Sequence, residues 1–144
     1  MTLIERATIY IHRLCEEIGV TADSIYNQKT GAWYFAQGSC TIEVFLTTQK
    51  NMQRESQTFI RCTAALCDIP QTVPKQIALY KTAMGINATY LGFKISADEQ
   101  RGLICIIAER NISGMDYDEM VALINDLSSW ADKLVNFMKE EFSN

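Results

Sequence analysis

The sequence predicts an α+β fold, an antiparallel sheet with helices packed on it, with elements in the order α-β-β-β-α-β-β-α. Three observations carry this expectation. Apolar residues recur at helical spacing near both ends of the chain and in its middle. The segments between them alternate at period two and fall into two blocks, of three strands and two. No repeat, linker or low-complexity stretch separates these elements, so residues 1–144 are expected to form one domain, and 48% hydrophobic residues are ample for its core.

The first helix starts at a capping box. Thr2 is placed to accept from the amide of residue 5, while Glu5 reaches back to the amide of residue 2. Leu3, Ala7, Ile11, Leu14 and Ile18 then follow one stripe, and Gly19 is the residue expected just past the end. From Gly31 the pattern turns to β: Ala32 to Ala36, a turn at Gln37-Gly38-Ser39, and a second arm in which Cys40, Ile42, Val44 and Leu46 share a face. A third strand near Thr58 to Cys67 alternates Ile60, Cys62, Ala64 and Leu66 with Phe59, Arg61, Thr63 and Ala65. Three such strands in succession make a meander.

Pro74 suits the first turn of the second helix, because the donor it lacks would be unpaired there. That helix runs to about Ala88. Ile77, Tyr80 and Met84 form one of its stripes and Leu79, Ala83 and Ile86 another, so it is expected to be well buried. Leu91, Phe93 and Ile95 alternate in a fourth strand. Leu103 to Ala108 is apolar throughout, as a central strand covered on both faces would be. Asp116 and Glu119 open a last helix of about 25 residues with the stripe Met120, Ile124, Leu127, Ala131, Leu134 and Met138.

The stretch from Leu79 to about Phe142 also carries a set of short motifs: a helix ending in Ile86-Asn87, then Gly92-Phe93-Lys94-Ile95, an acidic turn at Asp98-Glu99, a hydrophobic strand, and a long helix opening at Gly114-Met115-Asp116. In order and spacing this resembles the C-terminal half of the YbjN-like family, whose members share the fold of class I type III secretion chaperones. The N-terminal half agrees in layout only. The resemblance implies a sheet flanked by helices, frequent homodimerisation, and a binding or regulatory role without known chemistry.

Charge and composition exclude several functions. With 13 Lys and Arg against 17 Asp and Glu, the net charge of −4 repels a phosphate backbone, so no nucleic-acid partner is expected. No apolar run approaches the roughly 20 residues of a membrane helix. Charges at Glu5 and Arg6 sit where a secretory signal would place its apolar stretch, and five cysteines without a disulfide pattern fit a reducing compartment, so a cytoplasmic location is expected. Asn111-Ile112-Ser113 matches a glycosylation acceptor that has meaning only in a secreted chain.

Catalytic, metal and cofactor sites are not expected. His12 is the only histidine and falls about 100° around the first helix from its apolar stripe, beside Arg13. Cys15, Cys40, Cys62, Cys67 and Cys105 contain no C-x-x-C pair. Cys62 and Cys67, five apart in a strand, are expected on opposite faces. Asp98, Glu99, Asp116, Asp118, Glu119, Glu140 and Glu141 lie at turns and helix ends that explain them. The glycines form no phosphate loop.

What exceeds the needs of a core is the last helix, where Leu123, Trp130 and Phe137 widen the apolar arc to roughly 160°. Large aromatics on the flank of a stripe are what interfaces use as anchors, so these three are the expected protein-binding residues, with Trp33 and Phe45 as a second surface. The function expected is a non-enzymatic, homodimeric protein- or peptide-binding module. The alternative is a small-ligand-sensing domain with a pocket lined by Trp33, Tyr34 and Tyr80.

Overall fold

The computed structural model describes residues 1–142. These form helix α1 (Leu3–Glu17), a short helix α2 (Ala22–Ile25), strands β1 (Tyr26–Asn27), β2 (Ala32–Gln37), β3 (Cys40–Lys50) and β4 (Ser56–Asp68), helix α3 (Val73–Thr89), strands β5 (Lys94–Asp98) and β6 (Leu103–Asn111), and helix α4 (Tyr117–Phe142). The strands make one antiparallel sheet in the order β1-β2-β3-β4-β6-β5, so the α+β architecture is as expected. Helix α2 and strand β1 are additions, of four and two residues, too short for any periodicity to announce them.

Local chemistry sets the helix ends. Thr2 Oγ1 accepts from Glu5 N at 3.0 Å and Glu5 Oε2 from Thr2 N at 2.9 Å. The same reciprocal pair recurs at α4, where Asp116 Oδ1 accepts from Glu119 N at 2.7 Å and Glu119 Oε1 from Asp116 N at 3.3 Å. Each box satisfies two backbone donors that a helix start leaves without partners. Gly19, at φ +82°, supplies the left-handed turn after α1.

Cross-strand partners share a face, which sorts the sheet into two sides. Trp33, Phe35, Ile42, Val44, Ile60, Cys62, Ala64, Ile104, Ile106 and Ala108 lie on one side and are all buried in the core cluster. Helix α4 covers them. It crosses β4 and reaches β3 and β6, and its whole expected stripe, Met120, Ile124, Leu127, Ala131, Leu134 and Met138, is buried. Helix α1 joins the same layer through Ala7, Ile11, Leu14 and Cys15, although Leu3 and Ile18, at the two ends of its expected stripe, are exposed.

Tyr117, at the start of α4, ties the two ends of the chain together. Its hydroxyl donates to Glu17 Oε2 at 2.6 Å, its ring meets Tyr10 edge-on at 5.9 Å, and the Arg13 guanidinium lies 3.9 Å from its centroid. A second tie pins the β2–β3 turn to α4. Asp132 Oδ1 accepts from Ser39 Oγ at 2.8 Å, and the carboxylate lies so close to Gly38 that a Cβ there would sit 2.6 Å from Oδ2.

Four expectations need correction. Helix α3 is not well buried: only Leu79 and Ala83 are, because it packs at the edge of the sheet, mainly over β5, and leaves its other stripe uncovered. Leu91 and Phe93 are not part of the fourth strand, which starts at Lys94, since Gly92 at φ +90° takes the chain out of the extended region. Strand β6 is interior, paired with β4 and β5, but helices cover only one of its faces. Cys62 and Cys67 are not on opposite faces. A bulge between Ala65 and Cys67 inserts one residue and reverses the alternation, so Cys67 pairs with Ile104 as Cys62 pairs with Ala108.

Candidate protein-binding surfaces

A binding surface in this fold has to come from apolar groups the helix layer does not cover. One exposed set lies on and just after α3, where Val73, Ile77 and Met84 are 63%, 49% and 72% exposed and Leu91, in the following loop, is 92% exposed. Ile77 and Met84 are seven residues apart, two turns along one side, with Tyr80 half-buried between them. Leu79 and Ala83 point the other way, toward Ile95 and Ile104. The helix therefore has two apolar sides and packs with one.

The second surface is the face of the sheet opposite the helices. Glu43, Phe45, Arg61, Thr63, Ser96, Asp98, Arg101, Cys105 and Ile107 line a groove of about 380 Å³ there, with Thr30 at its rim. Thr63, Cys105 and Ile107 are buried on its floor, although no helical residue is among the lining. This is why the all-apolar run of β6 suits its place: one side meets α4 and the other forms the groove. The charges fall into two triads of opposite net sign. Arg101 Nε donates to Asp98 Oδ2 at 2.8 Å and Nη1 lies 3.7 Å from Glu43. Arg61 Nε lies 3.1 Å from Glu109 Oε2, and Lys94 Nζ donates to Oε1 of the same carboxylate at 2.9 Å. What remains is an electrically balanced groove with Phe45 half-buried in its wall.

The five residues singled out in the sequence are scattered. Trp33 is 9% exposed, inside the core cluster, with its ring 4.9 Å from that of Tyr26. Phe45 belongs to the groove. Trp130 is half-buried under Tyr90 and Phe93, its ring centroid 4.9 and 4.7 Å from theirs. Leu123 lines a small cleft beside it with Leu91 and Phe93. Phe137, at 37%, is the exposed member of the α4 group. The apolar surplus of α4 thus meets, within the chain, the loop that follows α3. The α3 side was missed although its second stripe was visible, because an all-round apolar helix was taken to be surrounded. Trp33, Tyr34 and Tyr80 line no common pocket: neighbouring Trp33 and Tyr34 face opposite sides of the sheet, and Tyr80 lies by β5 at the far edge.

Among the described residues the titratable groups form no reactive cluster. His12 is exposed on α1. Cys15, Cys40, Cys62 and Cys105 are buried and Cys67 is partly so. Burial raises all five thiols, Cys62 to about 12, which disfavours the nucleophilic thiolate. Among the described residues no group of three His, Cys, Asp or Glu could hold a metal ion, and no helix is long and apolar enough to cross a membrane.

No family model and no curated protein matches this chain. Solved structures do match it in fold. A chain of the HopA1–SchA chaperone–effector complex is 11% identical, with a TM-score of 0.62 over 90% of this chain and 93% of that one. A chain of the ExsC–ExsE complex is 13% identical, with a TM-score of 0.61 over 99% and 97%. YbjN of E. coli is 11% identical, with a TM-score of 0.56 over 90% and 88%. This chain thus has the fold of type III secretion chaperones and of YbjN.

Proposed function

We propose that the chain is a non-enzymatic protein-binding domain, chaperone-like or regulatory, that spans residues 1–144, works in the cytoplasm as a homodimer, and belongs with the YbjN-like proteins. The observation that carries the binding role is the uncovered side of α3, since exposed apolar groups grouped on one element mark interaction sites rather than ordinary surface. Several solved chains of this fold were captured with protein partners, which supports a polypeptide as the natural ligand.

The outward side of α3 suits the homodimer. An isologous contact needs one self-complementary patch, and an apolar helix side meeting its own copy is such a patch. Trp130, with its ring already engaged, contributes by holding the α3–β5 loop, with Leu123 beside it, while Phe137 stands exposed nearer the C-terminal end of α4. The groove around Phe45 is left for the client. Its paired charges and apolar floor fit an extended, largely uncharged segment.

The test is sedimentation of pure protein at micromolar concentration. Wild type is expected as a dimer and the double variant Ile77→Ser, Met84→Ser as a folded monomer. A wild-type monomer overturns the dimer, and a double variant that stays dimeric overturns its placement on α3. Co-purification of a specific polypeptide, lost on Phe45→Asp, tests the client site. A second reading, a small-ligand sensor, draws on the groove volume, which is in the range of small-molecule pockets. A thermal shift from a metabolite panel, abolished by Phe45→Asp, would favour it.

A further inference from the structure

Strand β5 is an edge of the sheet, and an edge presents a row of unpaired N–H and C=O groups on which another strand can form. Here one side chain takes that place. Asn87, near the end of α3, accepts from Ile95 N through Oδ1 at 2.7 Å and donates from Nδ2 to Ile95 O at 3.1 Å. A primary amide carries the same donor and acceptor as a peptide group, so Asn87 makes the pair of bonds that a neighbouring strand would make. Ile95 pairs with Ile106 across the ladder. Because both of its backbone groups turn to Asn87, this is a non-hydrogen-bonded position toward β6, and the outward-facing residues of β5 are Ile95 and Ala97.

The strand is also complementary to itself. Its sequence is Lys94-Ile95-Ser96-Ala97-Asp98. Laid antiparallel on a second copy about Ser96, it sets Lys94 opposite Asp98 at both ends and Ile95 opposite Ala97 twice. Lys94 and Asp98 already meet Glu109 and Arg101 within the chain, so at the ends of the strand opposite charges would add to existing pairs, while the two Ile95–Ala97 positions are those where outward backbone groups would bond. Both positions need the N–H and C=O of Ile95, and both are therefore closed while Asn87 holds them.

We propose that β5 is a docking edge for β5 of a second copy of this chain, held shut by Asn87, which guards the sheet against continuing from one molecule into the next. This contact is distinct from the α3 dimer and does not depend on it.

The experiment is sedimentation velocity across a concentration series with three proteins, wild type, Asn87→Ala and Asn87→Ala with Ala97→Pro, each checked by circular dichroism. Asn87→Ala is expected to form a reversible species of twice the wild-type mass, whatever that mass is, with association at least about tenfold tighter. The added proline removes an outward donor without touching the β6 ladder and is expected to return the wild-type state. Thr89→Ala, which removes the 2.8 Å bond from Thr89 Oγ1 to Gly85 O, perturbs the end of α3 without freeing β5 and is expected not to associate. An Asn87→Ala protein that keeps the wild-type mass, folded or destabilised, overturns the proposal. So does association that survives the proline or appears equally in Thr89→Ala.

Discussion

Helix α4 lies across the middle of the sheet and buries a stripe of six residues from Met120 to Met138, whereas α3 lies over the edge strand and buries only Leu79 and Ala83. Both are rich in apolar residues, and α3 is apolar on more sides than α4. The better amphipath is the more buried of the two. The difference teaches that an apolar surplus in a helix measures how much surface needs covering, not whether the same chain covers it. For α4 the sheet and the Tyr90-Phe93 loop do so. For α3 the sheet runs out at β5.

The comparison can be broken by substitution. The largest effect is expected from Ile124→Ala, which opens a cavity in the α4 seam and should cost about 3 kcal/mol in urea unfolding. Next is Trp130→Ala, expected at about 2 kcal/mol from the loss of a half-buried ring against Tyr90 and Phe93, with fluorescence and thermal melting as the readouts. Gly38→Ala follows at about 1 kcal/mol or more, since φ +59° strains an alanine and its Cβ would force Asp132 away from the turn. Ile77→Ser and Met84→Ser on α3 are each expected within about 0.5 kcal/mol of wild type when unfolding is compared in the monomer, while changing its association. If they cost as much as Ile124→Ala, the two helices are not in different situations.

The Tyr117 contact sharpens the same contrast, because it holds α1 to the buried helix. Burial, and then the hydrogen bond to Glu17, raise the phenol from 10.0 to about 12. A raised folded value means that its contribution is complete below pH 10 and is lost as pH rises toward 12. The Glu17 carboxyl is held below its ordinary 4.5, first by the Tyr117 hydroxyl and then by Arg13, so its contribution is present above that value and is lost as pH falls through the lowered one. Absorbance at the phenolate band should show one tyrosine titrating late, and Tyr117→Phe should remove it. A Tyr117→Phe protein with an unchanged titration curve would contradict this geometry.

Much of the fold was legible because it depends on neighbours in sequence. Two capping boxes, the α4 stripe and the alternation of β2 to β4 each express a rule that operates within a few residues. The candidate surfaces were less legible. Phe45 was found from alternation, and it does face the bare side of the sheet. Trp33, expected on the same surface, is buried, because it pairs with Val44 and so faces the helix-covered side of the sheet, where Tyr26 of β1 also packs against it. The bulge that reverses Cys67 has no signature in a run of alternating small residues.

From the sequence alone came the class of fold, the order of its main elements, the side of each strand up to the bulge, and the charge balance that argues against a phosphate backbone. These follow from local periodicity and from composition. Tertiary structure decided which apolar stripe faces a neighbour and which faces solvent, that Trp130 is engaged while Ile77 and Met84 are not, and that Asn87 meets Ile95. Such facts depend on which elements become neighbours in space. A side chain's environment is set by groups far along the chain, and no spacing within one element records them.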